Sequence, residues 1–160
     1  MKVITMFLAG CLSMMAAPAV AQQASFHKQG IECLGVEGDG SQTVRVTGTG
    51  RNKADAEEQA KKDAVYAVIF DGIRSGAGGC DMRPLINEVN ARRKYEDYFD
   101  IFFLDKGEYS KYVSMEDARR GSKIKSKNKY FKSYRITVRV LRPELKARLI
   151  ADRVIKQPTN

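Results

Sequence analysis

The sequence predicts the α+β class: one domain in which a small, mainly antiparallel sheet carries a long alanine-striped helix and a C-terminal helix. Three observations predict it. Thr43-Val44-Arg45-Val46-Thr47 alternates apolar and polar residues, the two-residue period of a half-buried strand. Ala56, Ala60, Ala64, Ala67 and Val68 follow at helical spacing. Near the C-terminus the alternation returns. Tyr130, Tyr134, Ile136, Val138 and Val140 fall on one face, and Ser133, Arg135, Thr137 and Arg139 on the other.

The elements follow in chain order. Residues 1–21 read as an export signal and 22–30 as a polar lead-in. A single domain is expected over 31–155, with a short tail at 156–160. Ile31 to Val36 is a candidate strand, and Glu37 to Ser41 a turn. Gly48-Thr49-Gly50 is expected to break the next strand in a tight turn, and Asn52 to cap the striped helix. Val65, Ile69 and Ile73 flank the stripe, whereas Glu57, Glu58, Lys61, Lys62 and Asp63 occupy the predicted wet side. Glycines at 76, 78 and 79 place the helix end near Ser75.

A second helix is predicted to open at Pro84, with Leu85, Ile86 and Val89 as its apolar positions. Tyr95, Tyr98, Phe99, Phe102 and Phe103 continue the helical spacing as a core face, with Tyr98 and Phe103 expected to be partly exposed. Lys106-Gly107 ends it. The C-terminal strand should pair with Gly121 to Lys127 through a turn near Ser126-Lys127-Asn128. Pro143 opens the last helix, with Leu145, Leu149, Val154 and Ile155 on its buried side.

The first 21 residues place the protein in the cell. Lys2 precedes a mostly apolar stretch, and Ala19-Val20-Ala21 supplies the small-x-small cleavage pattern. The apolar run is too short, and too interrupted by Gly10, Ser13 and Pro18, for a membrane span. Export to the periplasm or beyond is expected. Leu8-Ala9-Gly10-Cys11 also matches a lipoprotein box, and acylation of Cys11 would tether the chain to a membrane leaflet; otherwise membrane contact is expected to be peripheral only. The short apolar stretch before the box, and apolar residues continuing after it, favour ordinary cleavage.

Cleavage leaves 139 of the 160 residues, the size of one domain with a real core. Removing Lys2 from the 28 basic residues leaves 27 against 19 acidic ones, a surplus that attracts anions. Envelope polymers, lipid headgroups and acidic proteins are available outside the cytoplasm. Nucleic acid is not expected. Two cysteines survive processing, Cys33 and Cys80. An even count in an oxidising compartment predicts one structural disulfide, and no C-x-x-C spacing points to redox work.

Candidate chemistry is sparse. Gly48-Thr49-Gly50 lacks the third glycine of a dinucleotide fingerprint, because Lys53 stands there, and no Gly-Lys-Ser/Thr follows. His27 is the only histidine, and no nucleophile elbow accompanies it. No metal or cofactor is expected. Glu57-Glu58, Glu96-Asp97 and Glu116-Asp117 read as solvated charges rather than a catalytic pair. The strongest candidate surface is basic: Arg119, Arg120, Lys123, Lys125, Lys127, Lys129, Lys132 and Arg135 fall in a run without acidic residues. On a strand, the lysines at 123, 125, 127 and 129 would share one face. Such a row is either a wet edge that discourages aggregation or an anion-contact surface.

Val44-Arg45-Val46-Thr47-Gly48-Thr49-Gly50, the alanines at 56, 60, 64 and 67, and Tyr134-Arg135-Ile136-Thr137-Val138-Arg139-Val140 together form a pattern. It resembles the N-terminal domain of the flagellar assembly protein T family and related small bacterial envelope lipoproteins. The resemblance covers about a quarter of the chain; residues 76–129 and the basic hairpin lie outside it. It implies a long helix packed on a sheet, and a non-enzymatic part in envelope assemblies. The function expected is thus a non-catalytic interaction or assembly module of the cell envelope. Its partner would be an envelope protein or an anionic envelope polymer. The alternatives are a soluble binder of an anionic polysaccharide or lipid headgroup, or a hydrolase without a recognisable motif.

Overall fold

A computed structural model describes residues 30–116, 122–124 (backbone only) and 130–156. The expected export signal, Cys11, His27, the expected lead-in as far as residue 29, the expected hairpin turn at 126–128 and the tail from 157 lie outside the described residues.

The strands are β1 (Glu32–Val36), β2 (Gln42–Gly50), β3 (Ser75–Gly76), β4 (Val113–Met115), β5 (Ser122–Ile124) and β6 (Lys132–Val140). The helices are α1 (Lys53–Tyr66), α2 (Ala91–Lys94), α3 (Glu96–Phe102) and α4 (Arg142–Ala151). The class is α+β, as predicted. Sheet order is β3-β1-β2-β6-β4, and β5 pairs β6 on the same edge as β4. Every pairing is antiparallel except the short β1–β3 contact.

β2 and β6 form the spine, in register from Gln42 opposite Val140 to Gly50 opposite Lys132. Their alternation decides which face is covered. Val44, Val46, Ile136, Val138 and Val140 are buried beneath the helical layer, whereas Thr43, Arg45, Thr47, Arg135 and Arg139 face the other way. α1 lies across β2 and β6 with Ala56, Ala60 and Ala64 fully buried. The Asn52 side chain accepts from the Asp55 N–H at 3.0 Å and caps the helix as predicted.

Four local expectations are corrected. Gly48-Thr49-Gly50 does not break β2; the strand runs through it. A Cβ on Gly48 would stand 1.9 Å from the Ala56 carbonyl oxygen, and one on Gly50 2.5 Å from Asp55 Cβ. The glycines therefore serve close helix–sheet approach, which is a packing need rather than a turn need. Lys62 and Asp63 are not on a wet side but buried. Lys62 reaches out to Asp105 over the Tyr109 ring, and Asp63 accepts from Gln59 Nε2 at 2.8 Å. α1 ends earlier than Ser75: it widens into a π-helical turn at Ala67–Asp71 and stops at Gly72, whose φ is 72°.

The fourth correction concerns Pro84, which opens no helix. The Val68 and Ile69 carbonyls of the π-helical turn accept from Leu85 and Ile86 N–H at 3.0 and 2.9 Å. Partnering those carbonyls holds residues 84–86 in irregular, non-helical chain, and helix resumes only at Ala91. The aromatic face beyond it is core, as predicted, but Phe103 is buried along with Phe99 and Phe102. Phe70, Phe99, Phe103 and Tyr109 link ring to ring under α1. α4 buries Leu145 and Leu149; Val154 and Ile155 follow the helix rather than belong to it, their N–H groups returning to the Leu149 carbonyl.

Cys33 and Cys80 form the predicted disulfide, which ties β1 to the loop after β3. Among the described residues no helix is long and apolar enough to cross a membrane.

Candidate anion-contact site

The predicted basic run is described in part only. Arg119, Arg120, Lys125, Lys127 and Lys129 lie outside the described residues. Lys123 sits in β5 opposite Tyr134, which brings the expected hairpin partner onto β6. Lys132 opens β6 opposite Gly50, and Arg135 stands opposite Thr47. An odd separation puts Lys132 and Arg135 on opposite faces of the strand, so they do not form one surface.

Arg135 instead joins two arginines outside the basic run. With Arg45 and Arg74 it lines a groove of about 720 Å³, together with Thr47, Glu32 and Asp71. The groove exists because β1 starts late. Pairing between β1 and β2 reaches only Arg45, so among the described residues the rest of β2 has no strand partner on that side. Gly30 crosses there at φ 78°, close enough that a Cβ would touch Thr47 Oγ1 at 3.4 Å. Ile31, Phe70 and Pro84 give the groove an apolar wall.

The three guanidinium groups are held differently. Arg45 faces Glu32 across the strand pair and bonds its carboxylate at 3.1 Å. Arg74 and Arg135 are exposed and have no acidic partner among the described residues. Arg45 and Arg135 are diagonal neighbours across β2 and β6, the spacing at which long side chains still meet. Like charges at that spacing repel, and a bound anion relieves the repulsion. On the same open face Arg139 is already engaged, by Asp39 at 2.7 Å and Ser41 Oγ at 2.6 Å. Hydrogen bonds from Ser41, its side chain before its backbone, and the charge of Arg139 hold the Asp39 carboxyl below the usual aspartate range.

The alternation of β2 and β6 put Arg45 and Arg135 on the polar face, so half of this groove was readable in the sequence. Arg74 was not, because it comes from a loop whose path is set by Gly72 and by pairing to β1.

The carboxylate pairs do not make an acid–base site. In the first of them, Glu58 accepts from Tyr109 Oη and from Lys106 N–H, and its second oxygen takes Lys61 Nζ at 2.7 Å. Burial pulls the Glu58 carboxyl upward, yet the bonds from Lys61, Tyr109 and Lys106 outweigh it, and the net shift is downward. Burial, and then the Glu58 carboxylate, push the Tyr109 hydroxyl well above its ordinary value. A depressed carboxylate stabilises the fold above its unfolded pKa, and that contribution is lost as pH falls through the folded value. Glu58→Gln should therefore be clearly less stable than the parent at about pH 7 and nearly equal to it at about pH 3. Urea unfolding at both values checks this, and a difference independent of pH would show the network does not act through the Glu58 charge.

Glu116, from the third pair, accepts from Ser114 Oγ at 3.0 Å, and Asp117 lies outside the described residues. Glu96 and Asp97 sit in the first turn of α3, where negative charge favours the helix end.

Comparison of the chain with protein-family models, with curated proteins and with solved structures finds no match.

Proposed function

We propose that this protein is a non-catalytic, exported interaction or assembly module of the bacterial cell envelope. It contacts an acidic partner through the arginine groove at the start of β1. The observation that carries the reading is the convergence of Arg45, Arg74 and Arg135 on one cavity, two of them without an acidic partner among the described residues. Ile31, Phe70 and Pro84 in the same wall favour a protein partner over a bare polymer, because interfaces pair an apolar centre with a polar rim. The Cys33–Cys80 disulfide fits an oxidising compartment.

The second reading, a soluble binder of an anionic envelope ligand, rests on the same arginines without the apolar wall. Salt separates the two. Polymer binding falls steeply with ionic strength, whereas an interface with an apolar centre resists it.

The test is in-cell crosslinking from a photoreactive residue at Ser75, which is exposed in the groove wall. One discrete heavier species that persists in envelopes washed with high salt, and that weakens at least tenfold when Arg45, Arg74 and Arg135 are all changed to Gln, is expected. A smear removed by salt would replace the assembly reading with the polymer one. An unchanged species in the triple variant would detach the groove from the function.

A further inference from the structure

A second cavity, on the far side of β1, has an unusual lining. It holds about 650 Å³ between the β1–β2 turn, the disulfide loop and the start of α4. Gln42 lines it, and that side chain is only 2 % exposed. A carboxamide carries donors and acceptors at its two ends. Among the described residues the Gln42 amide has no hydrogen-bond partner, and its Oε1 is shut off from water. Buried polar groups are rarely left so.

Arg142 lines the same cavity and has a matching defect. Its Nη2 donates to Asp81 Oδ2 at 2.8 Å and to the Arg83 carbonyl at 3.0 Å, but its Nη1 is buried and unpartnered. Lys146, exposed and one turn further along α4, adds a second cation, and Asp81 balances only one of the two. The rim is apolar: Val36 is 46 % exposed and Met82 66 %. An acceptor for Arg142, a polar group for Gln42, an anion for Lys146 and an apolar group for the rim are all wanted in one place.

We propose that this cavity binds the C-terminal residue of a peptide. The last backbone amide satisfies both buried groups, its carbonyl accepting from Arg142 Nη1 and its N–H donating to Gln42 Oε1. The terminal carboxylate faces Lys146, and an apolar side chain covers Val36 and Met82. Because the two polar atoms are closed to solvent, the rim must shift on entry, and Met82 is the side chain with freedom to do so. The proposal does not depend on the arginine groove and shares no residue with it.

The test uses the purified, disulfide-bonded protein, labelled with nitrogen-15, and the peptide acetyl-Ala-Leu-Leu as the free acid and as the C-terminal amide. Titration of the acid to about 10 mM should move the Gln42 side-chain NH₂ and Arg142 Nε signals saturably. The amide should bind at least tenfold more weakly, as should Lys146→Gln, an exposed change that leaves the fold intact. Gln42→Leu should abolish the response and raise Tm, since it removes an unpartnered buried amide. No shift with either peptide overturns the proposal, as does equal binding by Gln42→Leu. Water cross-peaks at the Gln42 amide without any peptide response would assign the cavity to bound water and overturn it too. Equal affinity for acid and amide would remove the carboxylate and Lys146 from it.

Discussion

Gly48→Ala should unfold the protein or cost it more than about 3 kcal/mol, above the usual range for overpacking. The reason is where the added carbon falls. It would lie 1.9 Å from the Ala56 carbonyl oxygen and 2.9 Å from Ala60 Cβ, so it meets helix backbone rather than a side chain that can rotate away. Relief requires α1 to lift off β2, and α1 covers the centre of the β2–β6 spine. Lifting it uncovers Val44, Val46, Ile136 and Val138 together. Gly38→Ala is the control, since nothing lies within 4 Å of a Cβ there, and its effect should stay within about 0.5 kcal/mol. Thermal and urea unfolding of both variants decide the matter. Equal stability would mean that α1 is free to slide on the sheet.

The double variant Cys33→Ser, Cys80→Ser should lose up to about 4 kcal/mol, the chain-entropy value for the 47-residue separation this bond closes. The site gives reason to expect much of that value. Cys33 is in β1, and the loop carrying Cys80 crosses β1 at very short range, with Gly76 over the Cys33 backbone and Gly78 over Leu34 and Gly35. Beyond the covalent bond, the two register positions of β3 and the Cys80 N–H, which donates to Cys33 Sγ at 3.0 Å, hold this segment to β1. Without the bond the loop should leave the β1 edge, exposing an unpaired strand that is prone to association. The measurement is urea unfolding with and without reductant, followed by hydrogen exchange across β1. A fully reduced protein with parent-like stability and β1 protection would show that packing alone holds the loop.

Much of the fold was legible because it is written in local periods. Two-residue alternation sets the faces of β2 and β6, and it alone places Arg45 and Arg135 on the side away from the core. The alanine spacing gave α1 its buried stripe, and Asn52 marked its start. The failures share one origin. Gly48 and Gly50 signal backbone freedom when taken locally, although their role is the missing side chain opposite Ala56 and Asp55. Pro84 carries a helix-start preference that loses to the Val68 and Ile69 carbonyls, which need donors more than residues 84–86 need helix. Lys62 looks solvent-facing by charge, yet its stem is buried and only its head reaches Asp105.

The candidate sites divide in the same way. The basic run between Arg119 and Arg135 is contiguous in sequence, but alternation sends Lys132 and Arg135 to opposite faces of β6. The groove that Arg135 does enter takes Arg74 from a loop 61 positions earlier in the chain. No window of sequence contains both. Gln42 and Arg142 are likewise separated by most of the domain, and the unpartnered state of Gln42 Oε1 and Arg142 Nη1 is a property of the packed state only.

By itself the sequence determined the class, the two long strands and their buried faces, the main helix and its cap, and the availability of two cysteines for one bond. Those are consequences of side-chain period, capping and composition, which act over a few residues. Tertiary structure alone decided how closely α1 approaches β2, where α1 stops, which arginines meet and which buried polar groups go unpartnered. Each of these depends on atoms distant in the chain arriving within a few ångströms of one another, and steric contact and hydrogen bonding act only at that range.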